Sequence, residues 1–182
     1  FPISLGVGIY TGILLGAVPS RPLWNTPMLA QLFLFSAMST GTATVLLVTA
    51  LLGSRRPDEL EHERKLLIST DLVLIVLEIF MLIPFLLHHA LSTWSSANSI
   101  GLILGGDYTL LFWVGVILLG ILLPLAIEVY ELFPLIWKEA VARYSLWLSA
   151  ASGVLVLLGG FVLRFVFVYA GQASHFLPVI AR

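Results

Sequence analysis

The chain has 182 residues, of which 59% are hydrophobic and only 10% charged, with a formal net charge of −1 and a mean hydropathy of +1.05. A soluble domain carries about 25% charged residues, so the composition excludes a water-soluble globule and predicts a single transmembrane domain over residues 1–182, an all-α polytopic helix bundle. The absence of cysteine removes disulfides, thiolate-held clusters and thiol chemistry from this chain.

A spanning helix needs about 20 mostly apolar residues, and five segments qualify in chain order. The first, Pro2 to Val18, is short and carries Tyr10. It starts directly after Phe1 without the basic stretch of a signal peptide, which is the expectation for a piece of a longer protein. The elbow RPLWN follows at residues 21–25, its proline fixing the backbone. The second span, Pro27 to Leu52, contains Ser36, Ser39, Thr40, Thr42 and Thr44. The third, Arg64 to His89, carries Asp71 and Glu78. These acids lie seven residues apart and so share one helix face about two turns apart. Residues 92–108 read as a link with no Lys or Arg. The fourth span, Thr109 to Ile136, holds Glu128, and the fifth, Tyr144 to Ala170, holds Arg164. Prolines and glycines inside spans, such as Pro84, Pro124, Gly159 and Gly160, are tolerated where neighbouring helices satisfy the freed backbone groups.

Orientation follows from the basic residues. Arg55, Arg56, Arg64 and Lys65 follow the second span, and Lys138 and Arg143 follow the fourth. The positive-inside rule places those links in the cytoplasm and the RPLWN elbow on the outer face. Tryptophans 24, 94, 113, 137 and 147 fall towards span ends, as in an interfacial aromatic belt.

Ionisable side chains within spans are functional candidates, because one at the bilayer centre costs roughly 2.5–3.5 kcal/mol. One reading makes Asp71, Glu78 and Glu128 a protonatable route, with the threonines of the second span as relays. The other makes them buried hydrogen-bond partners of neighbouring helices, with Arg164 pairing one acid. Among four histidines, only His88 or His89 with His175 could supply a haem pair at one depth, at the bilayer edge. No haem is expected, and no metal, phosphate-loop or nucleic-acid motif is present.

YTGILLGAVPSRPLWN followed by an apolar helix, FWVGVILLG at residues 112–120, and the ending LRFVFVYAGQ together resemble the NrfD/PsrC family of quinone-handling membrane subunits. The resemblance runs over nearly the whole chain. It is carried by Tyr10, Gly12, RPLWN, Leu163, Arg164, Ala170, Gly171 and Gln172. Family members have about eight or more spans, so the five here correspond to the C-terminal part. The resemblance implies that Tyr10 contacts a quinone carbonyl near the outer face, where a ferredoxin-like iron–sulfur subunit docks and leads to a catalytic subunit. It also implies a bacterial or archaeal cytoplasmic membrane and anaerobic respiration.

The chemistry is consistent with that expectation. A quinone, menaquinone or ubiquinone, is a flat apolar ring with two carbonyl acceptors, so its site needs an apolar slot and a donor such as a phenol. Its reduction takes two electrons and two protons, the electrons arriving from a partner. In this reading Arg21, Trp24 and Asn25 form the partner-facing elbow, with Trp24 anchored at the interface. The expected function is a haem-free subunit, not catalytic alone, that exchanges electrons between the quinone pool and an iron–sulfur protein. A proton-translocating subunit through Asp71, Glu78 and Glu128, and a small-solute transporter, are the alternatives.

Overall fold

The computed structural model describes residues 2–52, 57–136 and 146–176. The basic residues Arg55, Arg56, Lys138 and Arg143, on which the expected orientation rests, lie outside the described residues, as does Trp137. All regular structure among the described residues is helical: α1 Pro2–Gly16, α2 Met28–Leu52, α3 Pro57–Leu91, α4 Trp94–Leu104, a π-helical segment Leu111–Leu122, α5 Leu123–Ile136 and α6 Leu146–Ala173. Four stretches are long and apolar enough to cross a membrane, Met28–Leu51, His62–Leu91, Leu111–Leu132 and Trp147–Ala173, and α1 is apolar but shorter. The spans therefore fall where apolar length places them.

Two features were not anticipated. The expected link at 92–108 contains the short helix α4, started by Thr93, whose hydroxyl accepts the Ser96 N–H at 3.4 Å. A hydroxyl at this position satisfies one of the N–H groups that a helix start leaves without a partner. The first half of the fourth span is π-helical, so that Leu123 N–H bonds the Leu118 carbonyl five residues back. Pro124 has no N–H to donate, and the wide register ends just before it.

The helix α2 packs against α1, α3 and α6, and α6 also packs against the π segment and α5. Lipid tails are as apolar as leucine, so helices associate through close contact of small residues rather than by escaping solvent. Gly120 of the π segment meets Gly159 of α6 so closely that a Cβ on either would collide with the other's backbone. A Cβ on Gly153 would sit 3.1 Å from the Ala43 carbonyl, and Gly12 lies against the backbone of Ala30. Above these crossings, Phe33, Phe85 and Phe167 fill the core near the elbow, with ring centroids 5.1 Å apart for Phe85–Phe167 and 6.3 Å for Phe33–Phe167. Large apolar side chains such as Val45, Phe80, Leu118 and Phe161 point outward, as lipid-facing residues do.

The glycine contact sets a testable difference. Gly159→Leu should destabilise the purified protein by about 1–3 kcal/mol or more through overpacking. Gly41→Leu, at a position with open space around it, should change thermal stability little. Equal melting temperatures for the two variants would rule out Gly159 as a helix-crossing point.

Candidate functional site

The elbow is a run of tight turns in which Arg21 N–H bonds the Val18 carbonyl at 3.3 Å, and the N–H groups of Trp24 and Asn25 bond the Arg21 carbonyl at 3.1 and 3.2 Å. Thr26 then accepts the Met28 N–H at 3.4 Å and leads into α2. Three side-chain contacts fasten this loop. The Arg21 guanidinium donates to the Ser174 carbonyl at 2.7 Å and lies 2.9 Å from His175 Nδ1. The Trp24 indole N–H donates to the Phe167 carbonyl at 2.9 Å, and its ring lies where a Cβ on Gly171 would be. From below, His89 on α3 bonds the Phe85 carbonyl through Nδ1 at 2.9 Å and stacks on the Phe85 ring. The same imidazole lies near the backbone at Pro22 and Leu23.

These contacts revise the expected roles within the elbow. Trp24 is only 7% exposed and holds α6 rather than anchoring at the lipid interface, because its indole N–H finds a carbonyl inside the bundle. Arg21 is half-buried and engaged with the end of α6, whereas Asn25 is exposed. Two of the three histidines near the elbow have protein partners, Phe85 for His89 and Arg21 for His175, and His88 is exposed. Tyr10 takes no part in these contacts. It is 60% exposed, on a face of α1 that also presents Ile3, Val7, Ile13 and Leu14.

The interior acids form a separate centre. Asp71 is fully buried, and its Oδ1 accepts from the Ser39 hydroxyl at 2.7 Å and lies 2.9 Å from the Thr42 hydroxyl. Its carboxyl lies near that of Glu128, which is also fully buried and accepts from the Ser152 hydroxyl at 3.0 Å. One turn beyond Glu128, Glu131 accepts from Ser149 at 2.7 Å, and Arg64 donates to that same serine oxygen at 2.7 Å. In the other direction along α3, about 10 Å by helical rise from Asp71, Glu78 is 6% exposed and faces Ser36 of α2. Arg164 donates to the Gly160 carbonyl at 2.9 Å and interacts electrostatically with Glu78. The structure thus brings Asp71 and Glu128 together, sets Glu78 and Arg164 beside each other, and leaves Tyr10 apart from both.

Carboxyls and hydroxyls alternate across two antiparallel helix pairs. Acids of α3 meet hydroxyls of α2, and acids of α5 meet serines of α6. Of the threonines, Thr40 and Thr44 bond carbonyls of their own helix, at 2.9 and 2.6 Å. Only Thr42 also reaches an acid. Glu131, Ser149, Ser152 and the burial of Arg64 were not anticipated. The available signal was the spacing of three between Glu128 and Glu131 and between Ser149 and Ser152, which places each pair on one helix face.

Residues 1–175 match the family profile described as Polysulphide reductase, NrfD. The chain is 33% identical over 173 residues to the protein NrfD of Escherichia coli, covering 94% of this chain and 51% of that protein. It is 32% identical over 175 residues to one chain of the polysulfide reductase of Wolinella succinogenes, covering 94% and 52%. It is also 28% identical over 182 residues to one subunit of the selenate reductase of Mesobacillus selenatarsenatis, covering 96% and 39%. The chain spans about half the length of the NrfD and polysulfide reductase proteins that it matches.

The Trp24–Gly171 contact can be read by fluorescence. In a protein retaining Trp24 as its single tryptophan, Gly171→Ala should displace the indole, shift its emission to longer wavelength and lower stability by about 1–3 kcal/mol. An unshifted emission maximum would mean that the indole does not pack on Gly171.

Proposed function

This chain belongs to the NrfD polysulphide reductase family, and from that premise we propose that it forms the quinone-exchanging half of a respiratory oxidoreductase's membrane subunit. Electrons pass between the membrane quinone pool and a docked iron–sulfur subunit, and through it to a catalytic subunit. The carrying observation is the position of Tyr10. Its phenol lies on an α1 face left uncovered by the other described helices, about 9 Å by helical rise below Gly16, where the elbow begins. A hydroxyl among apolar side chains is expensive unless something accepts its hydrogen bond. A quinone carbonyl supplies such an acceptor while its ring lies against Val7, Ile13 and Leu14. Exposed Asn25, at the elbow beside the same end of α1, is the residue best placed to meet the partner.

The names of the relatives point the same way, since those from Wolinella succinogenes and Mesobacillus selenatarsenatis are described as parts of a polysulfide reductase and a selenate reductase. In this proposal the elbow faces the outside of a bacterial or archaeal cytoplasmic membrane, as the distribution of Lys and Arg supports. A second role accompanies the first. Asp71, Glu78 and Glu128 serve as a proton route, a reading favoured by their burial and by the facing of Asp71 and Glu128 across two helices.

Tyr10→Phe in the complete protein, purified within its complex, should lower quinone-linked turnover roughly tenfold or more while leaving co-purification of the iron–sulfur subunit unchanged. Turnover equal to that of the unaltered complex would remove Tyr10 from the quinone site.

A further inference from the structure

The alternating carboxyls and hydroxyls are interrupted at one place. Between α2, α3, the π segment and α6 lies a cavity of about 10 Å³, lined by Ser36, Ser39, Thr40 and Glu78 with Gly159 and Gly160. That is close to the room a single water needs. Ser36 is 1% exposed, and its Oγ faces the Glu78 carboxyl but is buried without a hydrogen-bond partner. Thr40 does not satisfy it, because its hydroxyl turns to the Ser36 and Ala37 carbonyls at 2.9 and 3.1 Å. Ser39 gives its proton to Asp71, so its oxygen has a lone pair left for the cavity it lines. Gly160 keeps the space open: a Cβ there would crowd the Thr40 methyl and sit 3.5 Å from Ser36 Oγ.

A second pair of atoms lacks donors. Asp71 Oδ2 and Glu128 Oε2 are both buried without a hydrogen-bond partner, and the two carboxyls are near enough to interact. Ionised carboxylates only accept, so these two could bond each other only if one carried a proton. The groups facing this pair are Ser39 and Thr42 from α2, Ser152 from α6 and, one turn along α5, Glu131. Each is satisfied through its own contact, and none donates to the two orphaned oxygens.

We propose that one water molecule occupies the cavity, hydrogen-bonded to Ser36, Ser39 and Glu78, and joins Glu78 to a proton shared by Asp71 and Glu128, forming a single line for proton transfer. The inference rests on the reading of these acids as a proton route and adds the site that makes the route continuous. In transfer towards Asp71, the water takes a proton from Glu78 and passes one of its own to Ser39 Oγ, whose hydroxyl proton moves to Asp71. Each O–H bond that breaks is matched by one that forms, and no electron moves. The water has three polar partners, within the two to four that hold a buried water.

Infrared difference spectroscopy on the complete protein in its complex tests this, comparing preparations in ordinary and ¹⁸O-labelled water. The expected result is a protonated-carboxyl band lost in both Asp71→Asn and Glu128→Gln, together with a water O–H band that shifts with the isotope and is altered by Ser36→Ala. Ser36→Ala removes one hydroxyl and little volume, so it reports on the water without dismantling the bundle. Survival of that particular carboxyl band in either substitution, or the lack of any isotope-sensitive band altered by Ser36→Ala, would overturn the proposal while leaving the broader proton route to its own measurement. That measurement is the rate of proton uptake during quinone turnover, expected to fall at least about tenfold in Glu78→Gln. Unchanged uptake would overturn the route and the joined line with it.

Discussion

Polar atoms between these helices have to find partners within the bundle, because lipid offers none. That constraint explains why buried acids and buried hydroxyls occur in matched sets. Asp71 has Ser39 and Thr42, Glu128 has Ser152, and Glu131 has Ser149. Such contacts also fix helix register, since a slip of one turn would separate each acid from its hydroxyl. The small residues work with them. Gly120 and Gly159 let the π segment and α6 approach until side chains of modest length can meet.

The same constraint accounts for two separate motifs in the sequence. RPLWN and AGQ lie far apart along the sequence, but Trp24 of the first sits on Gly171 of the second and bonds the Phe167 carbonyl one helical turn earlier. Arg21 closes the junction by bonding the Ser174 carbonyl. His89 of α3 lies beneath the elbow, near the backbone at Pro22 and Leu23. A rigid elbow set this way holds the end of α1, and with it Tyr10, in a fixed place relative to the bundle. On the proposed function, that rigidity keeps a quinone in constant register with its electron partner.

The spans were legible from apolar length, and the membrane setting from composition. The pairing of Asp71 and Glu78 on one face was legible from their spacing of seven. Sequence could not show that Asp71 faces Glu128, because that depends on how α3 and α5 are rotated, which packing across helices decides. Glu131 escaped notice for lying near a span end, where an acid is inexpensive, although its spacing from Glu128 matches that of Ser149 from Ser152. Trp24 read as an interfacial anchor because tryptophans near span ends usually are. Its inward turn depends on a glycine almost 150 residues away. The helix α4 was missed because eleven uncharged residues are too few to span a membrane.

The division of labour proposed here, an elbow end that meets the quinone and an interior that handles protons, depends most on what lies against α1. Photolabelling of the complete membrane complex with a quinone carrying a photoreactive group on its ring tests this directly. Covalent label on the α1 peptide containing Tyr10, displaced by excess unmodified quinone, is the predicted outcome. Displaceable label confined to segments outside α1 and the elbow would contradict it.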